Sequence, residues 1–120
     1  MKRILVIEDT EDNRQIVGDL LSSAGYELIE AVDGLEGVAT AEREQPDLIL
    51  MDIQLPGIDG YEATRRIRKI PALAKVPIIA VASYALSGDE AKTREAGCDG
   101  YVAKPYSPRQ LLAKVREFLP

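Results

Sequence analysis

The sequence predicts an α/β protein built on a doubly wound, five-stranded parallel sheet. Three observations carry that prediction. First, short runs of consecutive apolar residues recur along the 120-residue chain: "ILVI" at 4–7, "LILM" at 48–51 and "IIAV" at 78–81. Parallel strands covered on both faces read this way. Second, the segments between them carry helical spacing and helix-start chemistry. Third, these segments alternate with the apolar runs. Such alternation gives a parallel sheet joined by right-handed crossovers, which leaves few topologies. Five strands fit the flavodoxin-like order 2-1-3-4-5.

The elements follow in chain order. The first strand, at 4–7, runs directly into Glu8 and Asp9. Thr10 is placed to cap a helix with an apolar stripe of Ile16, Val17, Leu20, Leu21 and Ala24, and Gly25 is placed to end it. "YELIEAV" at 26–32 is more polar than the other strands and suits a position nearer an edge. Asp33 and Glu36 have the spacing of a capping box, in which each side chain satisfies a backbone N–H at the helix start. The third strand, at 48–51, ends on Asp52 and is followed by the turn formers Pro56 and Gly57. Asp59 with Glu62, and Ser87 with Glu90, repeat the capping-box spacing. The basic stretch "TRRIRK" at 64–69 reads as a solvated helix face, with a docking contact as the minority alternative. "GYVA" at 100–103 is the fifth strand, followed by Lys104-Pro105, a linkage that is trans in most proteins. Ser107 and Gln110 form a last capping box, with Pro108 at the first helical position. The final stripe is Leu111, Leu112, Val115, Phe118 and Leu119.

Composition narrows the function. The length fits one domain over 1–120. A net charge of −5 argues against a nucleic-acid surface. No apolar run approaches the length of a signal peptide or a membrane span. The one cysteine, Cys98, reads as a small buried residue. It permits no internal disulfide, and a cytoplasmic location is the simpler expectation. With no histidine, Ser-His-Asp and Cys-His catalysis and histidine metal sites are excluded. The chain could receive a phosphoryl group from a phosphohistidine but cannot carry one.

In the order 2-1-3-4-5 the first and third strands are neighbours. Glu8, Asp9 and Asp52 then converge at their carboxyl ends. Like charges at that spacing raise one another's pKa, and a hard divalent cation resolves the conflict. Mg²⁺ takes oxygen ligands and often uses only one or two carboxylates. Asp9 and Asp52 suit direct ligation, Glu8 suits contact through water, and a backbone carbonyl near Gln54 could complete the set. For Glu8 and Asp9 the competing reading is helix capping. Asp52 resists it, because Asp59 already supplies the next cap. A carboxylate facing a cation is also a nucleophile able to form an acyl phosphate. Lys104, at the end of the fifth strand, can reach the same cleft as a point cation for phosphoryl oxygens; the alternative is an ordinary surface lysine.

"ILVIEDTEDNR", "DLILMDIQLPGIDGYE" and "PIIAVASYALSGDEAKTREAGCDGYVAKP" together resemble a response-regulator receiver domain, of the single-domain CheY-like or DivK-like kind. The strand order is the family's own, so it is not independent support. The resemblance implies that Asp52 is the phosphoacceptor and that Glu8 and Asp9 hold Mg²⁺. It implies that the Gln54 main-chain carbonyl completes that site and its side chain helps set phosphate lifetime. Lys104 would bind a phosphoryl oxygen, and Tyr101 would report phosphorylation to the face formed by the fourth helix, fifth strand and fifth helix. The donor would be a sensor histidine kinase or a histidine phosphotransfer protein. Output would pass to a downstream protein target, from a monomer or weak dimer with no nucleic-acid or membrane partner. One position departs from the pattern: Ala82 stands where the family has Thr or Ser. Its neighbour Ser83 points to the other face by strand alternation. The expectation is a chain that accepts phosphate on Asp52 but switches weakly. The alternatives are a receiver-like binding module with no working phosphoswitch, and an aspartate-nucleophile phosphatase. "IEDTED" lacks the latter's usual second aspartate two residues on from Asp9.

Overall fold

A computed structural model describes residues 1–82 and 89–120 of the chain. Its elements are β1 (Arg3–Ile7), α1 (Glu11–Ser23), β2 (Glu27–Ala31), α2 (Gly34–Glu44), β3 (Leu48–Asp52), α3 (Gly60–Arg68), β4 (Ile78–Ala82), α4 (Asp89–Ala96), β5 (Gly100–Ala103) and α5 (Pro108–Phe118). A short 3₁₀ turn, Pro71–Leu73, precedes β4. All strand pairs are parallel, in the order β2-β1-β3-β4-β5. The central strands β3 and β4 are buried at every position, as their unbroken apolar runs require. Edge strand β2, with two exposed glutamates, is the polar one.

Period-two alternation divides the core between the two faces of the sheet. Ile4, Val6, Leu48, Leu50, Ile79 and Val102 pack under α1 and α5. Leu5, Ile7, Ile49, Met51, Ile78 and Ala80 pack under α2 and α3. The same parity carries Glu8 and Asp52 to the α1/α5 side. It carries Ala82 to the opposite cluster, against which Tyr101 also packs. Cys98 is buried, its Sγ 3.7 Å from Thr64 Oγ1.

Helix ends follow the expected chemistry with three differences, at Thr10, Glu36 and Glu62. Thr10 sits at the N-cap of α1, but its side chain makes no capping bond; its N–H is turned instead to the Glu8 carboxylate. Asp33 and Asp59 accept from the N–H of Glu36 and Glu62. The reciprocal halves are diverted: Glu36 accepts from Val32 N, and Glu62 pairs with Arg65 and Arg66. Among the described residues, only the Ser107–Gln110 box closes on both sides. Ile16 of the expected apolar stripe is 61% exposed, whereas Val17 and Leu21 are buried. At the end of α1, Gly25 (φ 94°) closes the helix by two bonds, from its own N–H to Ser22 O and from Tyr26 N–H to Leu21 O. The Ser87–Glu90 start lies outside the described residues, as do Ser83 and Tyr84.

The turn after β3 is tight. A Cβ on Gly60 would press on the Asp52 carbonyl and lie 2.6 Å from Ile53 Cα. The first residue of α3 therefore must be small for the strand end carrying Asp52 to keep its place.

Candidate functional site

Three carboxylates meet at the carboxyl ends of β1 and β3. Ligand oxygens of Glu8, Asp9 and Asp52 all lie within 4.8 Å of one another. Glu8 and Asp52 are buried and Asp9 is exposed, so the cluster opens to solvent on one side. Parallel pairing of Ile4–Ile7 with Leu48–Met51 ends both strands at the same level, which brings these residues together.

Each buried carboxylate is held from several directions. Glu8 Oε2 accepts from Thr10 N (3.0 Å) and Oε1 from Lys104 Nζ (3.3 Å). Asp52 Oδ1 accepts from Gln54 N (3.0 Å), and its Oδ2 lies 3.6 Å from Lys104 Nζ. Lys104 directly follows β5, and the Lys104-Pro105 bond after it is cis, the minority form. Its N–H donates to the Ala82 carbonyl, which ties the end of β5 to the end of β4.

Charge is unevenly compensated here. Burial, followed by the neighbouring Glu8 charge, pushes the Asp52 carboxyl up to about 6, and the Lys104 ammonium and Gln54 N–H only partly offset them. Glu8 is pushed up by burial too, but its bond from Thr10 N and the Lys104 charge outweigh that and leave it below its ordinary range. Burial disfavours the Lys104 ammonium, yet Asp52 and Glu8 more than restore it. Tyr106 lines the same recess with Val17 and Leu111, and burial raises its phenol.

A hard divalent cation fits this donor set. The donors are oxygens, they are close together, and they carry more negative charge than Lys104 neutralises. Glu8, Asp9 and Asp52 could hold it. Gln54 stands two residues past Asp52, with its N–H turned to Asp52 Oδ1. Ala82 is buried at the end of β4 in the cluster on the far face, and its methyl group carries no donor. Tyr101, on β5, pairs with Ala80 and packs against that cluster.

Two contributors were not legible in the residue pattern. The Thr10 N–H faces Glu8, and backbone donors leave no signature in sequence. Arg14 donates from Nη1 to the Glu8 carbonyl at 2.8 Å. A cation five residues beyond an acidic pair, on the helix that follows it, was the available signal.

The comparisons agree with this geometry. The model of the response regulator receiver domain family matches residues 4–116. The polar-differentiation response regulator DivK of Brucella anthropi is 39% identical over 118 residues, which covers 98% of this chain and 96% of that protein. The receiver domain of a Pseudomonas aeruginosa sensor histidine kinase, solved with a magnesium ion in its active site cleft, is 39% identical; the match covers 98% of this chain and 97% of that one, at a TM-score of 0.91. The chemotaxis response regulator CheY4 of Vibrio cholerae is 28% identical and covers 98% of both chains, at a TM-score of 0.94. No helix among the described residues is long and apolar enough to cross a membrane. An acidic cluster where β1 and β3 end, on a sheet of this order and with matches over nearly the whole length, places this chain in the response-regulator receiver-domain family.

Proposed function

We propose that this chain is a two-component response regulator that takes a phosphoryl group onto Asp52. The observation that carries this reading is the convergence of Glu8, Asp9, Asp52 and Lys104, from three strand ends, on one open recess. The donor is a phosphohistidine on a sensor kinase or a histidine phosphotransfer protein. An Asp52 oxygen attacks phosphorus, the P–N bond breaks, and the imidazole leaves with the bond's electron pair. Attack needs the ionised carboxylate, so reaction proceeds above the pH at which Asp52 loses its proton. Lys104 Nζ, between Glu8 and Asp52, receives a phosphoryl oxygen. Glu8, Asp9, Asp52 and the Gln54 carbonyl would hold Mg²⁺, which supplies charge neutralisation for the transferring group. This chain turns over no external substrate in this reading. It works in the cytoplasm and signals by altered binding to a downstream protein through α4, β5 and α5, with Tyr101 as reporter. The whole chain, 1–120, acts as one receiver domain.

Ala82 supports a second reading. With no hydroxyl at the end of β4, the phosphoryl group lacks one bond that would couple it to the rest of the molecule. Switching is then weak, and in the limit the chain is a binding module indifferent to phosphorylation.

Incubation with Mg²⁺ and acetyl phosphate, followed by intact mass, tests the proposal. The expected result is a gain of one phosphoryl group that is lost in Asp52→Asn. No gain in the unmodified chain overturns the reading. Equal partner affinity of Ala82→Thr and the unmodified chain after phosphorylation removes the argument about Ala82.

A further inference from the structure

We infer that Arg14 is a positioning residue for the acidic pair: its guanidinium sets the plane of the Glu8–Asp9 peptide and so aims Asp9 into the recess. This rests on the reading of the recess as a cation site.

Arg14 lies one turn into α1, where its N–H bonds the Thr10 carbonyl at 2.9 Å. Its side chain turns back over the end of β1 and is only 15% exposed. Two groups receive it. Nη1 donates to the Glu8 carbonyl at 2.8 Å, and Nε lies 3.6 Å from Glu30 Oε1 on β2. Glu30 is 56% exposed, and an ion pair that loose and that wet contributes little. The short bond to the carbonyl is partly sheltered from water, and it is charge-assisted.

The position of that carbonyl matters more than its energy. Glu8 is the first residue past β1. Its N–H is fixed to Ala31 O at 3.1 Å, whereas no backbone N–H of a described residue donates to its carbonyl. Arg14 takes the place of the missing strand neighbour. The peptide it holds joins buried Glu8 to exposed Asp9, and their carboxylate oxygens come within 4.8 Å of each other. Rotation of that peptide would re-aim Asp9 and loosen the Thr10 N–H on Glu8 Oε2.

Coulomb attraction and positioning predict opposite signs, so the assignment is testable. Removing a positive charge beside three carboxylates tightens a cation if charge alone matters. If Arg14 aims the ligands, removing it weakens the cation, as loss of outer-shell support does, by about tenfold. The experiment titrates the full chain with Mg²⁺ and follows backbone amide resonances, for the unmodified chain, Arg14→Met and Glu30→Gln. Expected are a dissociation constant about tenfold higher for Arg14→Met and an unchanged one for Glu30→Gln, which keeps the carbonyl bond. In the metal-free protein the Thr10 amide should exchange faster in Arg14→Met alone. A folded Arg14→Met that binds Mg²⁺ as tightly as the unmodified chain, or more tightly, overturns the inference and leaves the proposed function standing. An unmodified chain that binds no Mg²⁺ overturns both. Should Arg14→Met not fold, Arg14→Lys keeps the charge but not the fork. Unaltered affinity and Thr10 exchange in that variant also overturn the assignment.

Discussion

Two basic side chains of similar exposure sit at opposite ends of this sheet, and they are held very differently. Arg68, at the end of α3, is 17% exposed, and Lys104 is 22% exposed. Arg68 donates to Gly97 O (2.9 Å), Val76 O (2.6 Å) and Leu73 O (3.1 Å), and pairs with Asp99 Oδ2 at 2.6 Å. The same Asp99 oxygen also accepts from Ile78 N. Among the described residues, Lys104 has two carboxylates, at 3.3 and 3.6 Å. One end is closed: four backbone carbonyls and one carboxylate surround the guanidinium, with the Ala74 carbonyl the most distant at 3.3 Å. The other is open: one ammonium is divided between two anions while a third stands exposed. The closed cluster locks α3, α4 and the start of β4 together. The open one retains unbalanced charge, which is what a site for a cation and a phosphoryl group requires. The physical distinction is in satisfaction, not in residue type.

The sharpest break in this contrast is at the closed end. Arg68→Ala takes the guanidinium from four carbonyls and from Asp99, which keeps the Ile78 N–H, and stability should fall by about 3 kcal/mol. Urea unfolding measures it. Mg²⁺ affinity at the far end should be unchanged, and a parallel loss of affinity would deny that the two ends are independent.

At the open end the sign reverses. Asp52 carries a folded-state pKa of about 6 against an ordinary 3.8. A raised value means that stability from this group is fully present below 3.8 and is lost as pH rises through 6. The loss is about 2–3 kcal/mol in the metal-free chain. Glu8, shifted down, works oppositely, in a window below its ordinary 4.5. Asp52→Asn should therefore be more stable than the unmodified chain at pH 8, and thermal melts from pH 5 to 8 should show the gap closing towards acid. A gap that does not vary with pH would remove Asp52 as its source. Mg²⁺ affinity in the unmodified chain should also fall as pH drops through 6, since the proton and the cation compete for the same oxygens.

The smallest effect sharpens the contrast at the junction beyond Lys104. Ser107→Ala opens the capping box that closes on both sides at the start of α5. It should cost about 1 kcal/mol in urea unfolding and leave Mg²⁺ affinity unaltered. A larger change in affinity than in stability would make that helix start part of the site.

Much of this was legible in the residues. The unbroken apolar runs at 48–51 and 78–81 became the two wholly buried strands, because only parallel strands with helices on both faces need no polar side. The acidic triad followed from strand order alone. Other features were not legible. "TRRIRK" reads as a solvated face, and Arg65 and Arg66 conform, but Arg68 is drawn into carbonyls of a turn and a loop distant in sequence. Helical spacing puts Ile16 in the apolar stripe of α1, yet it projects into solvent, because the stripe that meets the sheet is centred on Val17 and Leu21.

The sequence by itself determined the alternation of elements and the identity of the charged groups at the strand ends, since these follow from local periodicity and residue chemistry; the strand order came with the family resemblance. Tertiary structure alone decided how each charge is compensated. Whether Arg68 is closed in or Lys104 left divided depends on backbone donors and acceptors from distant segments. Every residue carries these groups alike, and only the fold brings them into place.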